Sequence, residues 1–432
     1  MPQYLESLPK AESDQLFALF NDRRYSELED RARNLVERYP DSGVAWKALG
    51  ASLQMQGKEA LPALQRAAEL LPDDAPAQSN LGRELRSLGQ FAEAATRFRR
   101  ALAAKPGFAD AHNNLGAALQ DLGQLDEAAA SFRRATEINP DFADAHANLA
   151  RVLLDLGQLN DAEASFRRAI ELNPDMVVAH NRLGVVLRRL GQLDAAAASH
   201  RRAIELDPNH ASAHNNLGIA LSELGQLDAA MASYRRALEI DPDFAPAYIN
   251  QGCALEDLWQ LEAAVASFRR ALQIDPDSAV VRSSLLSLQH YLLDAPARSL
   301  LAEAKQFGDL VERQARAYTD WPNSPEPDRC LRIGLVSPDF HNHPVGHFLE
   351  GILAALNPVA VGRLEIFGYT LNTHADELTG RIKASCHAWR SAVGISDENF
   401  ARQIRDDRID ILIDLSGHTA HNRLSLFAWK PA

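Results

Sequence analysis

Cysteine is scarce: the 432 residues hold three, Cys253, Cys330 and Cys386, too few and too scattered for a disulfide framework or a CxxC metal site. Free thiols in a reducing compartment are expected, and hence a cytoplasmic protein. Basic charge is also short. Lys and Arg total 45 against 58 Asp and Glu, a net charge of -13, which leaves no general electrostatic footprint for nucleic acid or an anionic membrane. The N-terminus, MPQYLESLPKAESDQ, lacks a basic start followed by an apolar core, and no run approaches the roughly 18 apolar residues of a membrane span. Aromatics make up only 7% of the chain although 46% is hydrophobic, so small aliphatic residues, chiefly alanine, must build the interior. That mixture predicts close-packed helices, and the length allows two to four domains at about 150 residues each.

What is present first is a repeat. Pro72, Pro106, Pro140, Pro174, Pro208, Pro242 and Pro276 stand 34 residues apart, and Gly-Gln pairs beginning at Gly89, Gly123, Gly157, Gly191 and Gly225 keep the same step. One shorter unit precedes them, with Pro40 and Gly57 each 32 residues ahead of its successor, and an irregular unit precedes that, for roughly eight in all. Within the unit 109–142, His112, Leu115, Gly116 and Leu119 form one helical stripe, and Ala128, Phe132 and Ala135 form a second. Gly123 ends the first helix and Pro140 blocks continuation of the second. Each unit is thus expected to be a helical hairpin that buries its apolar face by stacking, giving a right-handed solenoid with a concave inner surface.

Leu115, Gly116, Ala128, Phe132, Ala135 and Pro140 resemble the signature of the 34-residue tetratricopeptide repeat. The resemblance implies architecture and leaves chemistry open. Asn80, Asn114, Asn148, Asn216 and Asn250 share one repeat position on the first helix, interrupted by Arg182. Such an amide ladder has two uses: it can hold the backbone of an extended protein or peptide substrate, or it can serve as a polar contact between repeats. The doublets Arg133-Arg134, Arg167-Arg168 and Arg201-Arg202 read as a solvated or acid-paired outer face, and the recurring His112, His146, His180 and His214 read as packing rather than metal binding.

The pattern changes near residue 330. WPNSPEPDRC reads as a linker; LRIGLVS, EIFGYT and DILIDLSG then read as strands separated by helical stretches, which predicts a parallel doubly wound sheet. Ligands of such sheets sit beyond the strands' C-terminal ends, where PDFHNHPVGHF and SGHTAHNR follow the first and last strands. The first loop packs Asp339, His341, Asn342, His343, Pro344, Gly346 and His347 together. Zinc on His341, His343 and His347 would lack an acidic or cysteine partner at a recognisable spacing, and the loop could also simply cap the next helix. The favoured reading is catalytic, an imidazole taking a proton from an acceptor hydroxyl near neutral pH, with no metal.

RIGLVSPDFHNHPVGHFLEGIL, EIFGYT and IDILIDLSGHTAHNRLSLFAWKPA, placed directly after tetratricopeptide repeats, resemble the start of the catalytic region of protein O-GlcNAc transferases and SPINDLY-type proteins. The resemblance implies a Rossmann-like lobe of a two-lobed (GT-B type) transferase that moves sugar from a nucleotide donor such as UDP-GlcNAc to Ser or Thr, with inversion and no required metal or cofactor. It implies that His343, between Asn342 and Pro344, lies by the acceptor and reacting sugar, that Asp407 is a family acid, with Asp410 close enough to compete for the part, and that Gly417, His418 and Thr419 face the same cleft. The nucleotide-binding lobe of the family has no counterpart here and no glycine-rich phosphate loop replaces it, so the expectation is an incomplete, inactive fragment. The expected organisation is an all-α repeat solenoid over 1–278, a helical connector and linker over 279–329, and the first part of a catalytic region over 330–432. The alternative is a non-catalytic repeat scaffold that binds proteins. A homo-oligomer stays open, and neither nucleic acid nor membrane is expected as a partner.

Overall fold

The computed structural model describes residues 8–292, 297–324, 326, 328–356, 362–419 and 421–432. Residues 1–7 of the N-terminal stretch, Pro325 and Pro327 of the linker and Ala420 of the second loop therefore lie outside the described residues. The chain divides into two compact units, Met1–Gly225 and Gln226–Ala432.

The first unit is helical hairpins. In the unit followed above, the helices Ala109–Asp121 and Leu125–Ile138 meet at Gly123, whose φ of +74° puts it in the left-handed region. Its N–H bonds to the Gln120 carbonyl and the next N–H, of Gln124, to that of Leu119, each at 2.9 Å. These are the two bonds of a Schellman stop, and glycine supplies the φ at no steric cost. The hairpin closes on Gly116, where an added Cβ would lie 2.9 Å from the Phe132 ring, itself fully buried. Gly82 against Phe98 repeats the arrangement, and Gly184 meets His200 instead.

The recurring histidines have a mechanical role beyond packing. His112, His146, His180 and His214 each place Nε2 about 3 Å from the carbonyl of the proline six residues earlier, and the Trp46 indole donates in the same way to Pro40. They pin the inter-hairpin turn to the helix that follows it. The arginines of the second helices pair with acids one turn on, as in Arg134–Glu137, Arg168–Glu171 and Arg202–Glu205, on an exposed face.

The second unit begins with further repeat helices, among them Ala245–Asp257, Leu261–Ile274 and Ala279–Gln289, followed by Ala297–Gln314. Trp259 takes the place of the turn glycine there and adopts φ +55°. A four-stranded sheet follows, all parallel, in the order β3-β2-β1-β4 for β1 (Leu331–Ser337), β2 (Leu364–Thr370), β3 (Ala388–Ser391) and β4 (Ile411–Asp414). The short β3 was not foreseen: four residues carry too little alternation, and what fixes the strand is Trp389, whose ring covers Gly368 of β2. One face buries Leu335 and Ile366 against Leu349 and Leu353 of the helix Pro344–Leu356 and Leu378 of Glu377–Ala384. The other buries Val336, Phe367 and Tyr369 against Phe400 and Ile404 of Asp397–Asp406. On the edge strand β4, Ile411 and Ile413 remain exposed.

Among the described residues no helix is long and apolar enough to cross a membrane.

Candidate active site

The β1 loop is built around the start of the next helix. Pro344 opens that helix, where its missing N–H costs nothing. Gly346 lets the loop fold back onto the first turn, since a Cβ there would sit 2.3 Å from the His341 carbonyl. His343 stands just before Pro344, half-buried, with Nδ1 accepting from the Val345 N–H at 3.3 Å and lying 4.0 Å from Asp339. Among the described residues nothing bonds its Nε2, so one ring nitrogen is held and the other is presented. Asn342 reaches both ways: its side-chain oxygen lies 2.9 Å from His347 Nε2, and its N–H donates to Asp376 at 2.6 Å.

Asp376 belongs to the loop after β2, so a single carboxylate ties the loops of two adjacent strands. It also caps the helix Glu377–Ala384 by accepting from the Thr379 N–H, and the Thr379 and Asn342 N–H groups hold it down at about 2. His374, in the same loop, brings its ring to 5.2 Å from His341. Neither residue was singled out from the sequence. The signal was a His and an Asp two apart just past a strand, and only pairing of β1 with β2 brings them within reach of His341.

The last loop has a different surrounding. His418 Nδ1 lies 2.9 Å from the buried Ser283 hydroxyl, and the ring meets Phe307 edge-on at 4.9 Å. Burial lowers its pKa, with His290 adding to the effect. Asn422 donates to Ser283 and to the Thr419 carbonyl, and these groups line a cavity of about 390 Å³ that none of the β1-loop residues borders. The two loops placed in one cleft from the sequence thus work against different neighbours here. Asp414, at the end of β4, was passed over: burial raises its pKa against the Gly417 and Ser416 N–H groups that lower it, and its Oδ1 has no partner among the described residues.

Asp407 follows the helix Asp397–Asp406 and precedes β4, as the sequence order has it, and lies at the N-terminal end of the sheet, opposite the loop that carries His343. Its carboxylate accepts from the Tyr369 hydroxyl at 2.8 Å and from Arg390 at 3.1 Å, contacts that clamp β2 and β3 to the helix. Asp410 is likewise tied, to Arg329, Asn323 and the Arg332 N–H; burial alone would raise its pKa, but these donors hold it at about 2.

On the first helices of the hairpins, the asparagines divide. Asn148 donates to Asn113 at 3.0 Å and Asn216 to Asn181 at 3.1 Å, bonds between successive repeats. Asn80 accepts from Arg83 at 2.8 Å. Asn114 borders a shallow hollow with Arg83 and Asp121, and Asn250 is half-buried on the helix Ala245–Asp257.

Residues 79–143, 147–211 and 181–245 match one tetratricopeptide-repeat family and 245–278 another, while 305–432 match glycosyl transferase family 41. The chain is 32% identical over 151 residues to a probable UDP-N-acetylglucosamine–peptide N-acetylglucosaminyltransferase SPINDLY of Petunia hybrida, covering 34% of this chain and 16% of that relative. It is 36% identical over 103 residues to the probable enzyme SEC of Arabidopsis thaliana, covering 24% of this chain and 10% of that one. Among solved structures, a point mutant of Thermobaculum terrenum O-GlcNAc transferase is similar at 31% identity and a TM-score of 0.50, over 59% of this chain and 49% of that one. The matched stretch thus spans about a sixth of the curated SPINDLY relatives. In its repeats, its sheet and its matched segments the chain is similar to proteins that join tetratricopeptide repeats to a glycosyl transferase family 41 region.

Proposed function

We propose that this chain is the acceptor-side part of a cytoplasmic protein O-GlcNAc transferase, its repeats recruiting protein substrates and its sheet presenting His343 to the reacting hydroxyl. The observation that carries the reading is the partly exposed imidazole at the C-terminal end of β1, one nitrogen held by the Val345 N–H, within the stretch 305–432 that matches glycosyl transferase family 41. In the proposed step the Ser or Thr oxygen attacks the sugar's anomeric carbon, the bond to the departing nucleoside diphosphate breaks, and the hydroxyl proton passes to Nε2 of His343. Donor positioning and charge stabilisation at the diphosphate fall to groups outside these 432 residues, because the sequence holds no glycine-rich phosphate loop.

Two measurements test this. In a protein that carries this chain together with a donor-binding lobe, His343→Ala is expected to lower sugar transfer from UDP-GlcNAc by about 100-fold or more, with donor affinity unchanged. Transfer at the parental rate would overturn the role. Calorimetry on residues 1–432 alone is expected to detect no UDP-GlcNAc binding, and clear micromolar binding would refute the division of labour.

A further inference from the structure

We propose that His341, His374 and Asp376 form a binding site for a divalent transition metal of the zinc class. One ligand atom from each lies within 4.8 Å of the other two. Two imidazoles and a carboxylate are a borderline donor set, suited to zinc, cobalt or nickel rather than to magnesium or calcium, which favour all-oxygen shells. A zinc ion with ligands at 2.0–2.2 Å needs them about 3.3 Å apart in a tetrahedron, so the cluster has to tighten by about 1.5 Å. His374 can supply that movement, because its side chain is exposed and its own backbone N–H bonds only within the loop, to Asn372.

Asp376 is already oriented, fixed by the N–H groups of Thr379 and Asn342, and the Asp339 carboxylate lies near the His341 ring, 3.9 Å from its Nε2. Hydrogen-bonded partners behind a ligating carboxylate, as the amides on Asp376, are part of the arrangement that orients ligands in metal centres. Three protein ligands leave a position for water, so the ion would be exchangeable rather than structural. Because His341 and Asn342 belong to the loop that carries His343, occupancy would also fix that loop against the loop after β2. The site stands on its own geometry and does not depend on the transferase reading.

The test uses metal-stripped, untagged 432-residue protein. Zinc titrated against a chromogenic chelator is expected to bind one equivalent, and cobalt is expected to give a visible absorption band with the same stoichiometry. His374→Ala should weaken zinc binding at least about tenfold with unchanged circular dichroism, while His387→Ala at the other end of the sheet should not. Absence of stoichiometric zinc binding, or binding that survives His374→Ala undiminished, would overturn the proposal. No sugar transfer is measured, so the outcome is independent of the proposed activity.

Discussion

In the hairpins of the first unit, many polar residues are consumed by neighbours at a fixed offset: histidines by the proline carbonyl six residues back, Asn148 and Asn216 by the amide one repeat before, arginines by an acid three residues on. In the sheet of the second unit they are gathered from different strands: Asp376 holds Asn342, Asp410 holds Arg329 and Asn323, and Asp407 holds Tyr369 and Arg390. The first pattern stabilises a surface that can be lengthened by copying. The second brings residues far apart in sequence together, and at the C-terminal ends of β1 and β2 it gathers His341, His343, His374 and Asp376, which is what chemistry at a site requires.

The contrast is sharpest for side chains of similar apparent prominence. Phe132 is fully buried over Gly116, and Phe132→Ala should cost about 3–5 kcal/mol, through lost burial and the cavity left behind. Contacts in stacked repeats are mostly between neighbours, so hydrogen exchange should accelerate in the helices 109–121 and 125–138 and their nearest neighbours rather than throughout. Uniform acceleration would break the picture of locally closed repeats. His343→Ala, by contrast, should leave exchange unchanged, because its half-exposed ring supports no core.

His200 departs from the pattern within the repeats and gives the next largest effect. It occupies the position of Phe132 and Phe166, fully buried, with Nδ1 2.9 Å from Asn181 Oδ1. Burial pushes its pKa down to about 4, with Arg188 adding repulsion. The unfolded chain therefore binds a proton that the fold refuses, and stability is lost as pH falls below about 6.5, with the loss levelling off near pH 4. At pH 5 the loss should be about 2 kcal/mol relative to pH 8. Thermal melts should show this difference narrowing in His200→Phe, and equal pH dependence in the two proteins would mean that His200 accepts its proton in the folded state.

The same contrast explains what could be read in advance. The 34-residue step of Pro106, Pro140 and Pro174, with glycines at the turns, is periodic, and a period survives in one dimension. Helix ends followed from Gly123 and close approach of the two helices from Gly116, while Phe132, expected beside the neighbouring hairpin, closes on Gly116 of its own. The β1 loop was legible as a histidine cluster on a strand end, since both signals are local. His374 and Asp376 were not, because they join His341 across 33 and 35 residues through pairing of β1 with β2. Asp407 was read correctly as standing just before the last strand, but its partners Tyr369 and Arg390 on β2 and β3 could not be read from that position. His418 was read as facing a cleft, and it does line a cavity, but Ser283, the partner 135 residues earlier that takes its Nδ1, was beyond the reach of a local reading.

The smallest effect separates the two uses of the asparagine ladder. Asn148 spends its amide on Asn113, so Asn148→Ala should cost about 1 kcal/mol, seen as a lowered thermal midpoint. Asn114 shares the repeat position but borders an open hollow with Arg83 and Asp121, and among the described residues its amide makes no hydrogen bond. Asn114→Ala should change stability by less than about 0.5 kcal/mol while weakening capture of protein substrate, measured by pull-down or fluorescence anisotropy with an extended acceptor peptide. If Asn114→Ala captures peptide as well as the parent does, these amides serve the stacking of repeats alone, and recruitment must rest on other residues of the hairpins.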